Sequence, residues 1–291
     1  MLKMSAILVV VSAAAALLWQ VSSLGAGELA KHPELDNSAV KSAVQHLRSA
    51  KQGSDMDVVR AEIAAAIESL GDEHFGARML STAASEAQSD IERLQSNVGR
   101  VIESLTFRPW MEADVPEGFP RFTPVHHIEV KTLPEYRMAR ASMPKTPQRG
   151  QNGAFWKLFS HIKRNDIAMT APVQMDYTGN DDDAEVKSMA FLYGSMKIGA
   201  AGNDSADSSV VVVDIPEQDV VSIGVRGRMT PESLESGHQA LQKWLSDHGA
   251  EYRPAGPLRR MGYNSPFIPK DRAFFELQIP VEKVELTETA P

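Results

Sequence analysis

Residues 166–175, DIAMTAPVQM, decide how the second half of the chain is read. Their apolar side chains recur at two-residue spacing, which is the period of a strand. Pro172 cannot donate to a ladder, so this strand must carry a bend, a bulge or an edge position there. Met169, Ala171 and Val173 are expected on one core face, since methionine fills irregular gaps between packed elements. Thr170 is expected to bond a neighbouring backbone group. Just upstream, GAFWKLFSHIKRN (153–165) sets Phe155, Leu158, Phe159 and Ile162 at helical offsets. Just downstream, VKSMAFLYGS (186–195) forms a second strand across the acidic turn TGNDDDAE (178–185). Asp181 to Asp183 in that turn lack the spacing, glycine and glutamate of a calcium loop, so a solvated hairpin turn is expected.

Further outward the pattern repeats. HHIEVKTLP (126–134) and EYRMARASM (135–143) read as a strand pair ahead of the first helix. After it come VVVVDIP (210–216), DVVSIGVRG (219–227), a helix from Thr230 to His248, and a closing strand RAFFELQIPVEKV (272–284). The second helix has clear ends, with Thr230 as N-cap, Pro231 at the first helical position and Gly249 as the stop. Leu234, Leu241, Trp244 and Leu245 make its buried face. Two rounds of strands, helix and strands predict an internally duplicated α+β domain, with an antiparallel sheet curled around a central space. Two helices on such a sheet leave a groove between them, a natural small-molecule site.

These residues resemble the SOUL haem-binding family. The string DIAMTAPVQM after a short aromatic helix carries the likeness, which continues through FLYGS, VVSIGVRG and RRMGYNSPF over roughly 125–284. The resemblance implies a distorted antiparallel β-barrel with two flanking helices, noncovalent haem or tetrapyrrole binding in several members, and no agreed enzymatic activity, so a non-enzyme is expected. A haem site needs an apolar wall, cations for the propionates and, where iron is ligated, an axial ligand. The wall is expected from Phe155, Phe159 and Ile162 with Met169 or Met175. Lys157, Lys163, Arg164, Arg226 and Arg228 are the candidate cations. Where some family members carry a histidine this chain has Lys131, so His161 in the first helix is the candidate iron ligand. His126, His127, His238 and His248 are expected to be polar-face or upstream residues.

The first half of the chain reads differently. Residues 4–21, MSAILVVVSAAAALLWQV, lie in an uncharged interval between Lys3 and Glu28, so residues 1–27 are expected to be a signal peptide or a membrane anchor. Either places the bulk outside the cytoplasm, anchored to the membrane or exported. Residues 28–108 show helical periodicity that divides into three helices, the third running through Leu80, Ala84, Ala87, Ile91, Leu94, Val98, Val101 and Leu105. This helical spacer is expected to form an intramolecular bundle, with self-association along the seam as the alternative. Residues 109–124, with four prolines, form a linker that cannot continue the helix. The family-like domain follows at 125–291.

Composition excludes several classes. The 291 residues carry 30 Lys+Arg against 38 Asp+Glu, a net charge of −8, and no block is basic enough for nucleic acid to be a partner. With no cysteine there is no disulfide framework, thiolate zinc site or covalent haem attachment. No nucleophile elbow, zinc-protease helix or phosphate loop is present. Taken with the SOUL resemblance and the N-terminal segment, the expected function is an envelope-associated, non-enzymatic haem or tetrapyrrole binder. The alternative is a small-molecule or peptide-sensing module on a helical stalk, without haem. A weaker hydrolase reading would need Glu276 to face a cavity.

Overall fold

The computed structural model describes residues 27–143, 150–178 and 185–284. The apolar N-terminal segment and the Asp181–Asp183 turn lie outside the described residues. Among those described, no helix is long and apolar enough to cross a membrane.

A short strand β1 (Glu28–Leu29) leads into four helices, α1 (Ser38–Gln52), α2 (Met56–Leu70), α3 (Phe75–Ala87) and α4 (Ile91–Thr106), and pairs with β2 (Trp110–Met111) beyond them. Each helix is started by a side chain that accepts from a first-turn N–H: Asn37, Asp55, His74 and Asp90. The seam expected to run through one long helix is broken at Gln88, which takes a positive φ, and Asp90 caps a new helix. Ala87 and Leu94 are nonetheless both buried, so the apolar stripe continues across the break and packs within the chain.

The remainder is a ten-stranded sheet with two further helices: β3 (Ile128–Leu133), β4 (Tyr136–Ser142), α5 (Gly150–Arg164), β5 (Val173–Tyr177), β6 (Val186–Leu192), β7 (Gly202–Asn203), β8 (Val210–Ile215), β9 (Gln218–Arg226), α6 (Pro231–Asp247), β10 (Tyr252–Pro254), β11 (Arg259–Gly262) and β12 (Phe274–Lys283). The order is β3-β9-β12-β11-β5-β6-β4-β8-β7, all antiparallel, with β10 added on β12. The expected barrel is not closed: β3 and β7 end the path, and no pairing joins them among the described residues. The duplication is visible in the pairing itself. Exchanging β3 for β8, β4 for β9, β5 for β11 and β6 for β12 reproduces every contact between β3 and β8, with the pseudo-twofold axis between β5 and β11.

Two local expectations fail. β3 and β4 do not pair, although two residues separate them; β3 pairs β9 and β4 pairs β6 and β8. The short connection sends consecutive strands into opposite halves of the duplicated sheet. The strand expected from residue 166 begins only at Val173, after a cis Ala171–Pro172 bond. Ala171 joins the core on one side of the sheet while Met169 and Val173 pack on the other. Thr170 does bond backbone, donating to the Leu192 carbonyl at 2.7 Å.

The sheet buries both faces. One carries α5, packed on β4, β6 and β8, and α6, packed on β9, β12 and β10. Leu158, Phe159, Ile162, Leu241, Phe275 and Leu277 fill that layer. The other face receives the proline-rich linker and the helical bundle: Phe107, Phe122, Val125 and Phe274 belong to one continuous core with Leu47, Leu80 and Leu105. Gly224 on β9 allows this closeness, since a Cβ there would sit 2.1 Å from the Thr123 carbonyl oxygen.

Candidate functional site

On the helix-bearing face, strand alternation and register define rows across the sheet. One row reads Phe191, Val173, Gly262, Phe275 and Val225; the next reads Met189, Met175, Arg260, Leu277 and Ile223. A guanidinium thus stands among apolar side chains, on the central strand pair between α5 and α6. The missing side chain of Gly262 gives it room, because a Cβ there would lie 2.9 Å from Arg260 Nη2. The guanidinium carbon lies 5.5 Å from the Phe275 ring centroid, and Nη1 lies 3.6 Å from Met175 Sδ. Arg260 has no carboxylate partner among the described residues, and its Nε is buried without a hydrogen bond. The buried Tyr177 hydroxyl, on the neighbouring strand, is likewise unsatisfied. Burial lowers the Arg260 pKa and raises that of Tyr177 from their ordinary values. Chemically, this is an apolar floor with two unsatisfied donors that suit an anionic oxygen.

Of the residues expected to form a haem wall, Phe155, Phe159 and Ile162 pack with Met169 and Met175 in the same apolar layer. Phe155 stacks on Phe159 and meets Phe191 edge-on. Lys163 is exposed, 5.7 Å from the Phe159 centroid. Arg164 reaches Asp204 at 3.0 Å instead of the sheet. Arg226 lies on the opposite face, 2.8 Å from Glu103 and over the Phe107 ring, in a 570 Å³ crevice that also contains Ile102, Asp271 and Arg272. The structure therefore does not bring Arg226 to the α5 wall.

His161 is buried, and both ring nitrogens are engaged. Nδ1 meets the Asp204 carboxylate, and Nε2 lies 2.6 Å from the Tyr193 hydroxyl. A neutral ring donating from Nδ1 accepts from Tyr193 at Nε2, so neither nitrogen is open to a metal in this arrangement. Burial works to raise the Asp204 carboxyl, but bonds from His161, the Ala206 and Asp207 N–H groups and Arg164 hold it well below the usual carboxylate range. The cluster ties the loop at Asp204 to α5. His161→Ala is accordingly expected to destabilise the protein by about 2–4 kcal/mol, measured by denaturant unfolding, while leaving tetrapyrrole affinity within about twofold. A matching loss of affinity and change in iron spectrum would show instead that His161 ligates. No group of three or more metal-ligating side chains occurs among the described residues.

The opposite face carries a different chemistry. Glu276, fully buried, accepts from Thr123 N–H (2.7 Å), Lys131 Nζ (2.9 Å), Gln278 Nε2 (2.7 Å) and Ser222 Oγ (3.3 Å). Lys131, standing where a family histidine was expected, is thus the counter-ion of a buried carboxylate roofed by the linker. Buried Tyr263 is pushed well above the ordinary tyrosine value by desolvation and by Glu276.

The fold and face define a class: a duplicated α+β domain whose helix-bearing face is an apolar layer with two unsatisfied donors on its central strand pair. The chain belongs to the SOUL heme-binding protein family, whose model matches residues 119–277. Noncovalent haem is the cofactor consistent with that membership. No curated protein matches the chain. Among solved structures, the EcmrR C-terminal domain shares 19% identity at a TM-score of 0.40, over 54% of this chain and 98% of that one. A hydrolase from Listeria innocua shares 14% at 0.41, over 55% and 94%. SAV2435 bound to tetraphenylphosphonium shares 12% at 0.32, over 54% and 94%.

Proposed function

We propose that the protein binds haem or a related tetrapyrrole noncovalently, without enzymatic turnover, and does so in the cell envelope. The family match across 119–277 carries the ligand class. The apolar layer of Phe155, Phe159, Met175 and Phe275 supports a flat hydrophobic guest, whereas the engaged nitrogens of His161 favour binding without ligation there. The donor-saturated environment of Glu276, covered by Thr123, supports a binding role over a hydrolytic one. The uncharged N-terminal stretch supports envelope association.

Absorbance titration of the full chain with haemin tests the ligand. Saturable one-to-one binding with a shifted Soret band is expected; an unchanged spectrum would overturn the proposal. Fractionation of producing cells tests location, with recovery only among cytoplasmic proteins as the contrary result.

A further inference from the structure

The geometry points to Arg260 as the residue that recognises a carboxylate on the ligand, within the groove between α5 and α6. This inference rests on the proposed tetrapyrrole binding and assigns its polar anchor. Three independent features converge. First, Arg260 is on β11 at the pseudo-twofold axis, where its cross-strand neighbour is Met175, so duplication places a cation on one half of the floor and a thioether on the other. A symmetric apolar floor would hold a disc in several orientations; a cation on one side selects the edge bearing acid groups. Second, a guanidinium among Met175, Leu277 and Phe275 lacks a counter-ion from the described residues. Isolated buried charge is costly, and a ligand carboxylate would supply both the charge and the acceptors. Third, the Tyr177 hydroxyl, on the strand paired with β11, is also buried without a hydrogen bond. Arg260 as a whole residue is half-buried, while its Nε and the Tyr177 hydroxyl are closed to solvent, so the ligand carboxylate would meet the guanidinium at its remaining N–H groups. The ligand class that fits is a flat apolar molecule with at least one peripheral carboxylate.

The test uses the full chain, protoporphyrin IX and its dimethyl ester, with binding followed by porphyrin fluorescence. Arg260→Met should weaken protoporphyrin IX by about tenfold or more and leave the ester unchanged, because only the free acid offers a carboxylate. Arg260→Lys should recover part of the loss, charge being kept and the fork removed. Tyr177→Phe should give a smaller loss, again confined to the free acid, and it keeps the ring should Arg260→Met fold poorly. If the wild type binds protoporphyrin IX and neither substitution changes its affinity, the anchor is elsewhere, though tetrapyrrole binding stands. Equal weakening of acid and ester would overturn carboxylate recognition. Arg226→Met weakening the acid while the Arg260 variants do not would move the anchor to the crevice beside α4. Failure of the wild type to bind either porphyrin would overturn the proposed function and this assignment together.

Discussion

Replacing Lys131 by methionine is expected to cost about 3–5 kcal/mol of folding stability. That is a large part of the roughly 5–15 kcal/mol available to a typical domain. The Lys131 side chain is 9% exposed and Glu276 is 0% exposed, so water cannot replace the lost ammonium. The remaining donors, Thr123 N–H, Gln278 Nε2 and Ser222 Oγ, still bond the carboxylate oxygens but carry no formal charge. The damage is therefore a charge left without a counter-ion, and it should be largely repaired by removing that charge. Lys131→Met combined with Glu276→Gln is expected to lie within about 1.5 kcal/mol of the wild type, since paired buried ions are close to neutral against well-packed uncharged replacements. Denaturant unfolding of the two single variants and the double variant measures the coupling. Additive losses would mean that the pair contributes nothing as a pair.

The same residues show where sequence alone is informative. The ends of α6 were legible because Thr230, Pro231 and Ser233 act locally: the Thr230 side chain accepts from Ser233 N–H and the Ser233 hydroxyl accepts from Thr230 N–H. The β5–β6 hairpin and the duplicated order were legible for a similar reason, short-range periodicity punctuated by turns. Partnership between distant strands was not. Lys131 and Glu276 are 145 residues apart, and nothing at residue 131 signals an acid on the last strand. Arg259 and Arg260 are adjacent and chemically identical in the sequence. Only the register with β5 and β12 sends Arg259 to the Gln278 side and Arg260 onto Phe275. His161 was visible as a histidine on an aromatic helix, but the loop that supplies Asp204 lies 43 residues further on. The apolar layer was therefore readable, while the groups that give it polarity were set by topology.

Acidification should loosen the seam between helical bundle and sheet before Asp36 and Glu103 titrate. His32 packs edge-on against Phe122 of the linker, and His127 stacks on Phe75 of α3. Both are held neutral, lowered from 6.5 to about 4. For His32 desolvation is the largest cause, followed by Arg121 and Arg108 and opposed by Glu34 and Asp36. For His127 desolvation again leads, and Arg78, His74 and His32 act in the same direction. The unfolded chain takes up these protons near pH 6.5 and the folded chain only near pH 4, so stability is complete above 6.5 and falls as pH drops through that interval. Each histidine should remove about 3 kcal/mol between pH 7.5 and 4. Asp36 and Glu103 are held below their ordinary values and contribute stability that is lost only at still lower pH, which separates the two effects. Denaturant midpoints measured from pH 7.5 to 4 should therefore decline steeply in the wild type. In a His32→Leu, His127→Phe variant the decline over the same interval should be much shallower, even if its stability at pH 7.5 is reduced. Hydrogen exchange at pH 4.5 should show faster opening of α1–α4 than of β9 and β12. A variant profile parallel to that of the wild type would place the acid sensitivity in other groups.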